Sequence, residues 1–185
     1  IKTISNDITE IHITGGVHPE KDLNYYINLA LEIKKSFKNI HLKAYSVVEL
    51  DYVFKKEKIN YKKGIQLLKD AGVDSIPGGG AEIFDDNLRA ILCPKKISSD
   101  DWLKLHKIAH KQGLTSNATM LYGHIEKYEH RIYHLDKLRN LQDETMGFNS
   151  FIPLKFRNTN NKMYKIPEVP LIEDLKNFAV SRIFL

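Results

Sequence analysis

Thr9-Glu10-Ile11-His12-Ile13-Thr14-Gly15-Gly16-Val17-His18-Pro19-Glu20 is the stretch that decides the fold. Its first six residues alternate polar and apolar, as in a strand with one buried face. Paired glycines then break the strand, and from Asp22 to Phe37 the apolar residues Leu23, Tyr26, Ile27, Ala30, Ile33 and Phe37 fall on one helical face. A strand that ends in glycines just before a helix bares backbone N–H groups at the helix start. That is a seat for a carboxylate, a phosphate or a small polar ligand.

Outward from this unit the same pattern repeats. A second strand is expected at Ile40–Tyr45, followed by helices at Val47–Lys56 and Tyr61–Asp70, the latter capped by Asn60 and stopped by Gly72. A short third strand, Val73–Pro77, ends in Gly78-Gly79-Gly80. Ala81–Leu92 then reads as a helix closed by Pro94, and Ser98 or Ser99 caps a helix running through Lys111 to Gly113. Thr115–Leu121 is a fourth strand. Tyr128–Gln142 is an amphipathic helix carrying Ile132, Leu135, Leu138 and Leu141. Phe148–Phe156 is a fifth strand, a polar loop covers 157–165, and Ile172–Phe184 is a last helix.

Strands alternating with helices at this spacing predict an α/β fold with a parallel sheet and right-handed crossovers. Glycine and polar residues gather at the strand C-terminal ends: Gly15-Gly16, Tyr45-Ser46, Gly78-Gly79-Gly80 and Tyr122-Gly123-His124. A β/α barrel keeps its active site there. A closed barrel needs about eight strands, and five are read here. The expectation is therefore a partial TIM-type barrel of about five parallel strands with flanking helices, open at both ends. A doubly wound, flavodoxin-like sheet is the structural alternative.

The 185 residues are expected to form a single domain, 1–185. The chain is 42% hydrophobic and 28% charged, with a net charge of +5. Its lysines are scattered over helix faces without interleaved aromatics, which argues against nucleic-acid binding. No apolar run is long enough to span a bilayer. The single cysteine, Cys93, excludes an internal disulfide or a multi-cysteine metal site within the chain and points to a reducing compartment. A soluble cytoplasmic protein is expected, with bare sheet edges open to self-association.

Several residues are candidates for chemistry. Three consecutive glycines at 78–80 lose much backbone entropy on folding, which favours a close approach to a ligand over a merely tight turn; Glu82 is placed to accept from a sugar hydroxyl. His106 and His110, like His130 and His134, stand four apart, a spacing that can hold zinc. Lys107 stands where a zinc protease needs glutamate, so helix-packing histidines are the stronger reading. Cys93 reads as a packing residue. Lys43 lies mid-strand: it either faces the inside of a barrel, where it needs an anionic partner, or snorkels past a helix edge.

Taken together, Gly15-Gly16-Val17-His18-Pro19-Glu20, His41-Leu42-Lys43-Ala44-Tyr45, Pro77-Gly78-Gly79-Gly80-Ala81-Glu82-Ile83, the tract from Ser116 to Glu126, and Leu141-Gln142-Asp143-Glu144-Thr145 resemble aminofutalosine synthase. This is a radical S-adenosylmethionine (SAM) family of the futalosine route to menaquinone. The resemblance runs in order along nearly the whole chain. Sister families, the dehypoxanthine futalosine cyclase and the deazaflavin-cofactor synthase subunit, share the triple glycine and the Gln-Asp-Glu-Thr tract. Lys43 and Asn117-Ala118-Thr119-Met120-Leu121-Tyr122 favour the synthase, and Met146 stands where the family usually has glycine.

The resemblance implies a radical SAM transferase that uses a 4Fe–4S cluster and consumes SAM as a co-substrate. The 5′-deoxyadenosyl radical adds to the enol ether of 3-((1-carboxyvinyl)oxy)benzoate, and rearrangement and loss of CO2 give 6-amino-6-deoxyfutalosine. It implies that Gly15, Gly16 and Val17 receive the methionine amino group through backbone carbonyls. It also implies that Glu82 meets the ribose hydroxyls, and that Leu121 and Gly123, in Thr119-x-Leu121-x-Gly123-x-x-Glu126, meet adenine. His18, Lys43, Tyr45 and His124 are the candidates for binding a small carboxylate substrate. The family's cysteine triad is absent, so the cluster ligands are expected outside this chain, upstream of Ile1, and the chain alone is expected to be inactive. A non-catalytic β/α ligand-binding module, complete as it stands, is the alternative of another class.

Overall fold

The computed structural model describes residues 8–185. Five strands, β1 (Glu10–Ile13), β2 (His41–Ala44), β3 (Ser75–Ile76), β4 (Thr115–Tyr122) and β5 (Phe148–Lys155), form one sheet in the order β1-β2-β3-β4-β5. Every neighbouring pair is parallel. The helices are α1 (Leu23–Ser36), α2 (Val47–Lys56), α3 (Tyr61–Asp70), α4 (Asp86–Leu92), α5 (Ser99–Lys111), α6 (Tyr128–Thr145) and α7 (Leu171–Phe184).

This order separates the two architectures left open by the sequence. A doubly wound sheet reverses its strand order at a switch point. Here the order never reverses, so right-handed crossovers put the connecting helices on one face. The sheet is an open arc of the barrel kind, with a convex face under helices and a concave face.

Strand alternation shows which residue lies on which face. Leu42, Ala44, Ile76 and Ala118 are buried in the core with Leu50, Phe54, Ile65, Leu68, Trp102 and Leu105 from the helices, and Ile11 and Ile13 pack at its margin. Their strand neighbours Glu10, His12, His41, Lys43 and Ser75 therefore face the concave side. Phe54 lies so close to α3 that a Cβ on Gly64 would come within 2.3 Å of its ring, which explains a glycine inside that helix.

Helix starts follow capping chemistry. The Asp22, Asn60 and Ser98 side chains accept from the N–H groups of Tyr25, Lys63 and Asp101 at 2.9, 2.9 and 3.1 Å. The helix expected over 81–92 begins only at Asp86. Gly80 and Glu82 lie in the left-handed region, at φ 84° and 46°, which a helix cannot contain, and Asp85 caps the start by accepting from Leu88 N–H. The long helix α6 extends to Thr145 and ends on Met146 at φ 50°, and Ile132, expected in its apolar stripe, is 40% exposed.

Candidate functional site

The C-terminal ends of β1, β2 and β3 open onto a basin of about 860 Å³, within the usual size range of ligand pockets. Gly15, Gly16 and Val17 line it on one side and Gly79 and Gly80 on another. A Cβ on Gly16 would meet nothing within 4 Å, and one on Gly79 would only touch Ser46. These backbones are uncovered, as a ligand cradle requires. Among the described residues no hydrogen bond reaches the carbonyls of Gly15, Gly16 or Val17.

The turn is fixed by a residue that sequence reasoning passed over. Glu49, 4% exposed, accepts from Gly15 N–H at 3.1 Å with Oε1, and from Ser46 N–H and Oγ at 2.9 and 2.7 Å with Oε2. Ser46 in turn caps α2, a reciprocal capping box. The Ser-x-x-Glu spacing of residues 46–49 signals such a box; its reach to the Gly15 turn depends on tertiary structure. The carboxylate also lies at the positive end of a helix, which favours its charge.

The triple glycine is held from beneath. A Cβ on Gly78 would lie 2.4 Å from the Asn117 carbonyl oxygen, so β3 and β4 approach closely only because the position is glycine. Thr119 Oγ1 donates to the Gly78 carbonyl at 2.6 Å and Trp102 Nε1 to that of Gly79 at 3.2 Å. Buried Arg89 donates to the carbonyls of Gly80, Ala81, Ile83 and Ile97. Nothing local in the sequence marks Arg89 for this task. The Glu82 side chain is paired with Lys96, and its carbonyl accepts from Leu121 N–H at 2.7 Å, linking the glycine loop to the end of β4.

At the end of β4, Gly123 adopts φ 87° and packs against Val169. The Glu126 side chain accepts from Gly123 N–H and His124 N–H at 2.6 and 2.8 Å. Arg131 grips the same carboxylate through Nε at 2.8 Å and Nη2 at 2.6 Å. The loop that follows β4 is thus built on one fully buried carboxylate.

The candidate residues separate. Gly15, Gly16 and Val17 share the basin; Leu121, Gly123 and His124 belong to the end of β4 and do not line it. Lys43 lies on the concave face. His18 is exposed at the rim, its Nδ1 accepting from Glu20 N–H at 3.3 Å. The Tyr45 side chain turns the other way: it is 1% exposed, its ring meets that of Tyr26 edge-on at 4.9 Å, and its hydroxyl donates to the Tyr26 carbonyl. Its backbone stands at φ 65°, a strained conformation for a bulky residue, at a strand end where functional sites gather. The His124 ring folds back into its own turn, with Nε2 3.0 Å from the Leu121 carbonyl and Nδ1 2.8 Å from Ile125 N–H. A neutral ring protonated on Nε2 satisfies both. Burial holds its pKa below the ordinary histidine range, although Glu126 at 3.0 Å pulls the other way.

The paired histidines are packing groups. His106 and His110 share the Ser116 hydroxyl at 2.9 and 2.7 Å, while His134 stacks on Phe84 and bonds the Thr119 carbonyl. Burial pushes His134 down to about 3 and His110 to about 4, and holds His106 well below the usual value. His130 is spent at the start of α6, accepting from Lys127 N–H at 2.9 Å. No group of three or more His, Cys, Asp or Glu suited to a metal occurs among the described residues. Cys93 closes α4, half-buried, with its thiol pKa raised by burial. No helix of the described residues is long and apolar enough to cross a membrane.

A parallel arc with an uncovered glycine cradle at its strand ends defines a β/α enzyme scaffold. The radical SAM superfamily matches residues 1–138, and the chain belongs to that superfamily. It is 43% identical to the aminodeoxyfutalosine synthase of Thermus thermophilus over 96% of this chain and 49% of the relative. It is 41% identical to the 5-amino-6-(D-ribitylamino)uracil–L-tyrosine 4-hydroxyphenyl transferase of Methanocaldococcus jannaschii, over 95% of this chain and 51% of the relative. The chain thus spans about half the length of these curated relatives. The superfamily works with SAM and a 4Fe–4S cluster. Such clusters are held by several cysteine thiolates, and Cys93 is the single cysteine here, so this chain's residues do not furnish the cluster's ligands.

Proposed function

We propose that this chain binds SAM and substrate for an aminofutalosine synthase. The reaction is addition of the 5′-deoxyadenosyl group of SAM, with methionine as its leaving group, to the enol ether of 3-((1-carboxyvinyl)oxy)benzoate; rearrangement and loss of CO2 then give 6-amino-6-deoxyfutalosine for menaquinone synthesis. The observation that carries this reading is the conjunction of the Gly15–Gly16 turn, uncovered at Gly16, with Lys43 on the concave face below it. Similarity to the Thermus protein supports the same reading.

In this reading the free carbonyls of Gly15, Gly16 and Val17 receive the methionine ammonium of SAM. Glu49 holds their turn. Glu82 exchanges Lys96 for the ribose hydroxyls, and the backbone at Leu121 and Gly123 flanks the adenine. Lys43 pairs a substrate carboxylate, and His18 at the rim is the second candidate for that task. Tyr45 and His124 contribute backbone and shape, because their side chains are committed elsewhere. The open edges of the sheet, β1 and β5, are the proposed surfaces for self-association.

The name of the Methanocaldococcus relative supplies a rival substrate pair, tyrosine and 5-amino-6-(D-ribitylamino)uracil. The full-length protein carrying this chain, supplied with SAM and each substrate set in turn, separates the two. Formation of 6-amino-6-deoxyfutalosine is expected. Turnover of the tyrosine pair alone, or of dehypoxanthine futalosine alone, overturns the proposal. SAM binding with no turnover of any set, in protein with an intact cluster, also overturns it and leaves a radical SAM enzyme of another substrate class; a full-length protein without a cluster-binding cysteine triad favours the non-catalytic module.

A further inference from the structure

We propose that the concave face of β1–β3 carries a carboxylate-binding subsite made by Lys43, His41, His12 and Ser75, in which Glu10 holds the place of the ligand's anionic group. The inference rests on the synthase reading for its ligand class, a small aromatic or alkenyl carboxylate. The register sets His12 beside Lys43, Lys43 beside Ser75, and Glu10 beside His41. All five side chains project from the same face, because the residues between them pack into the helix-covered core.

The contacts run diagonally across the strands. Lys43 Nζ reaches back to Glu10 Oε1 at 2.8 Å, His41 Nε2 reaches up to Ser75 Oγ at 2.7 Å, and the His41 ring lies 3.9 Å from Glu10 Oε2. Three basic side chains therefore surround one carboxylate. The Glu10 pKa is lowered, first by its hydrogen bond to Lys43 and further by the nearby His41 and His12.

The two partners differ in burial, and that difference carries the proposal. The Lys43 side chain is only 14% exposed, and Glu10 is its single hydrogen-bond partner among the described residues. A shielded ammonium needs an anion beside it. The Glu10 side chain is the more exposed partner, at 40%, and stands at the very start of β1, so it is the member of the pair placed to give way. A ligand carboxylate that displaces Glu10 keeps Lys43 paired, and the released Glu10 is solvated. His12 stands level with Lys43, and His41, held by the buried Ser75 hydroxyl, stands beside Glu10, so both imidazoles flank the position of the carboxylate.

The test uses the full-length protein, with 3-hydroxybenzoate as probe, 3-hydroxybenzamide as its neutral counterpart, and S-adenosylhomocysteine as a separate reporter of the SAM cradle. Lys43→Met is expected to weaken 3-hydroxybenzoate at least 10-fold while leaving S-adenosylhomocysteine affinity and thermal stability unchanged. Glu10→Gln is expected to tighten 3-hydroxybenzoate by 3-fold or more, because it removes the competing anion; neither variant should alter the benzamide. Unchanged 3-hydroxybenzoate affinity in Lys43→Met overturns the subsite, and so does weaker binding in Glu10→Gln. If the unmodified protein binds S-adenosylhomocysteine but not 3-hydroxybenzoate, the subsite is overturned, while the synthase reading is decided separately by formation of 6-amino-6-deoxyfutalosine.

Discussion

The β1–β3 half of the sheet and the β4–β5 half differ in what each hides behind its strands and in what each shows on the concave face. In the first, the concave face is charged, with Glu10, His12, His41 and Lys43, and the helix side is apolar, with Leu42, Ala44 and Ile76. In the second, the concave face mixes Asn117 and Thr119 with half-exposed Ile152 and Leu154, while the helix side hides Ser116 with His106 and His110 among Ala118, Met120 and Phe151. One sheet thus offers a ligand a charged floor on one side and a mixed, uncharged wall on the other. The difference also divides the sources of stability: ordinary apolar packing behind β1–β3, and buried polar groups needing matched partners behind and above β4.

The hardest way to break this contrast is at the Glu126–Arg131 pair. Arg131→Met leaves the Glu126 carboxylate buried without its cation, for which about 3–5 kcal/mol of destabilisation is expected. The loss should be regional. Amide hydrogen exchange should accelerate over 115–126 before it does so over 41–44, and uniform acceleration would show that the halves are not separate in stability.

Acid probes the same half more gently. Unfolded, His110 and His134 take up protons near pH 6.5; folded, burial delays them to about 4 and about 3. The unfolded chain therefore binds more protons below pH 6.5, and stability falls as pH drops through that window, by roughly 2 kcal/mol per histidine at pH 5. Urea midpoints at pH 7 and pH 5 measure this. His134→Gln, which can still donate to the Thr119 carbonyl, should remove about one histidine's share of the slope. An unaltered slope would show that His134 does not contribute and leave the acid sensitivity to His106 and His110.

The smallest change sharpens the boundary of β5. Met146 holds a left-handed backbone at φ 50° while its side chain is 75% exposed. Met146→Gly should stabilise by about 1 kcal/mol by relieving that conformation without loss of packing. A lower urea midpoint in the variant would mean that the methionine contributes contacts that outweigh its strain.

Much of this architecture was legible in the chain. The alternation at 9–14, the capping residues Asp22, Asn60 and Ser98, and the glycines at strand ends all act within a few residues, so they place elements and turns without tertiary help. The over-long helix at 81–92 shows the limit of local pattern. Its residues are compatible with a helix, but Arg89, the close approach of Gly78 to Asn117 and the left-handed Glu82 bind 78–85 into a loop. The site residues divide in the same way. The turn of Gly15, Gly16 and Val17, which lines the basin, was legible because strand-end glycines are a local signal. Glu49 was missed because its role lies in a bond across 34 positions of sequence.

The sequence by itself determined the order of strands and helices, their caps and the glycine cradle, because hydrophobic period and capping act over one or two turns of chain. Only the tertiary structure decided that the sheet runs 1-2-3-4-5 and curves one way, that Lys43 faces Glu10 on the concave side, and that Tyr45 and His124 turn from the positions expected of them. Those outcomes depend on register between strands and on which buried polar atom finds which partner, and both are set only when distant segments pack together.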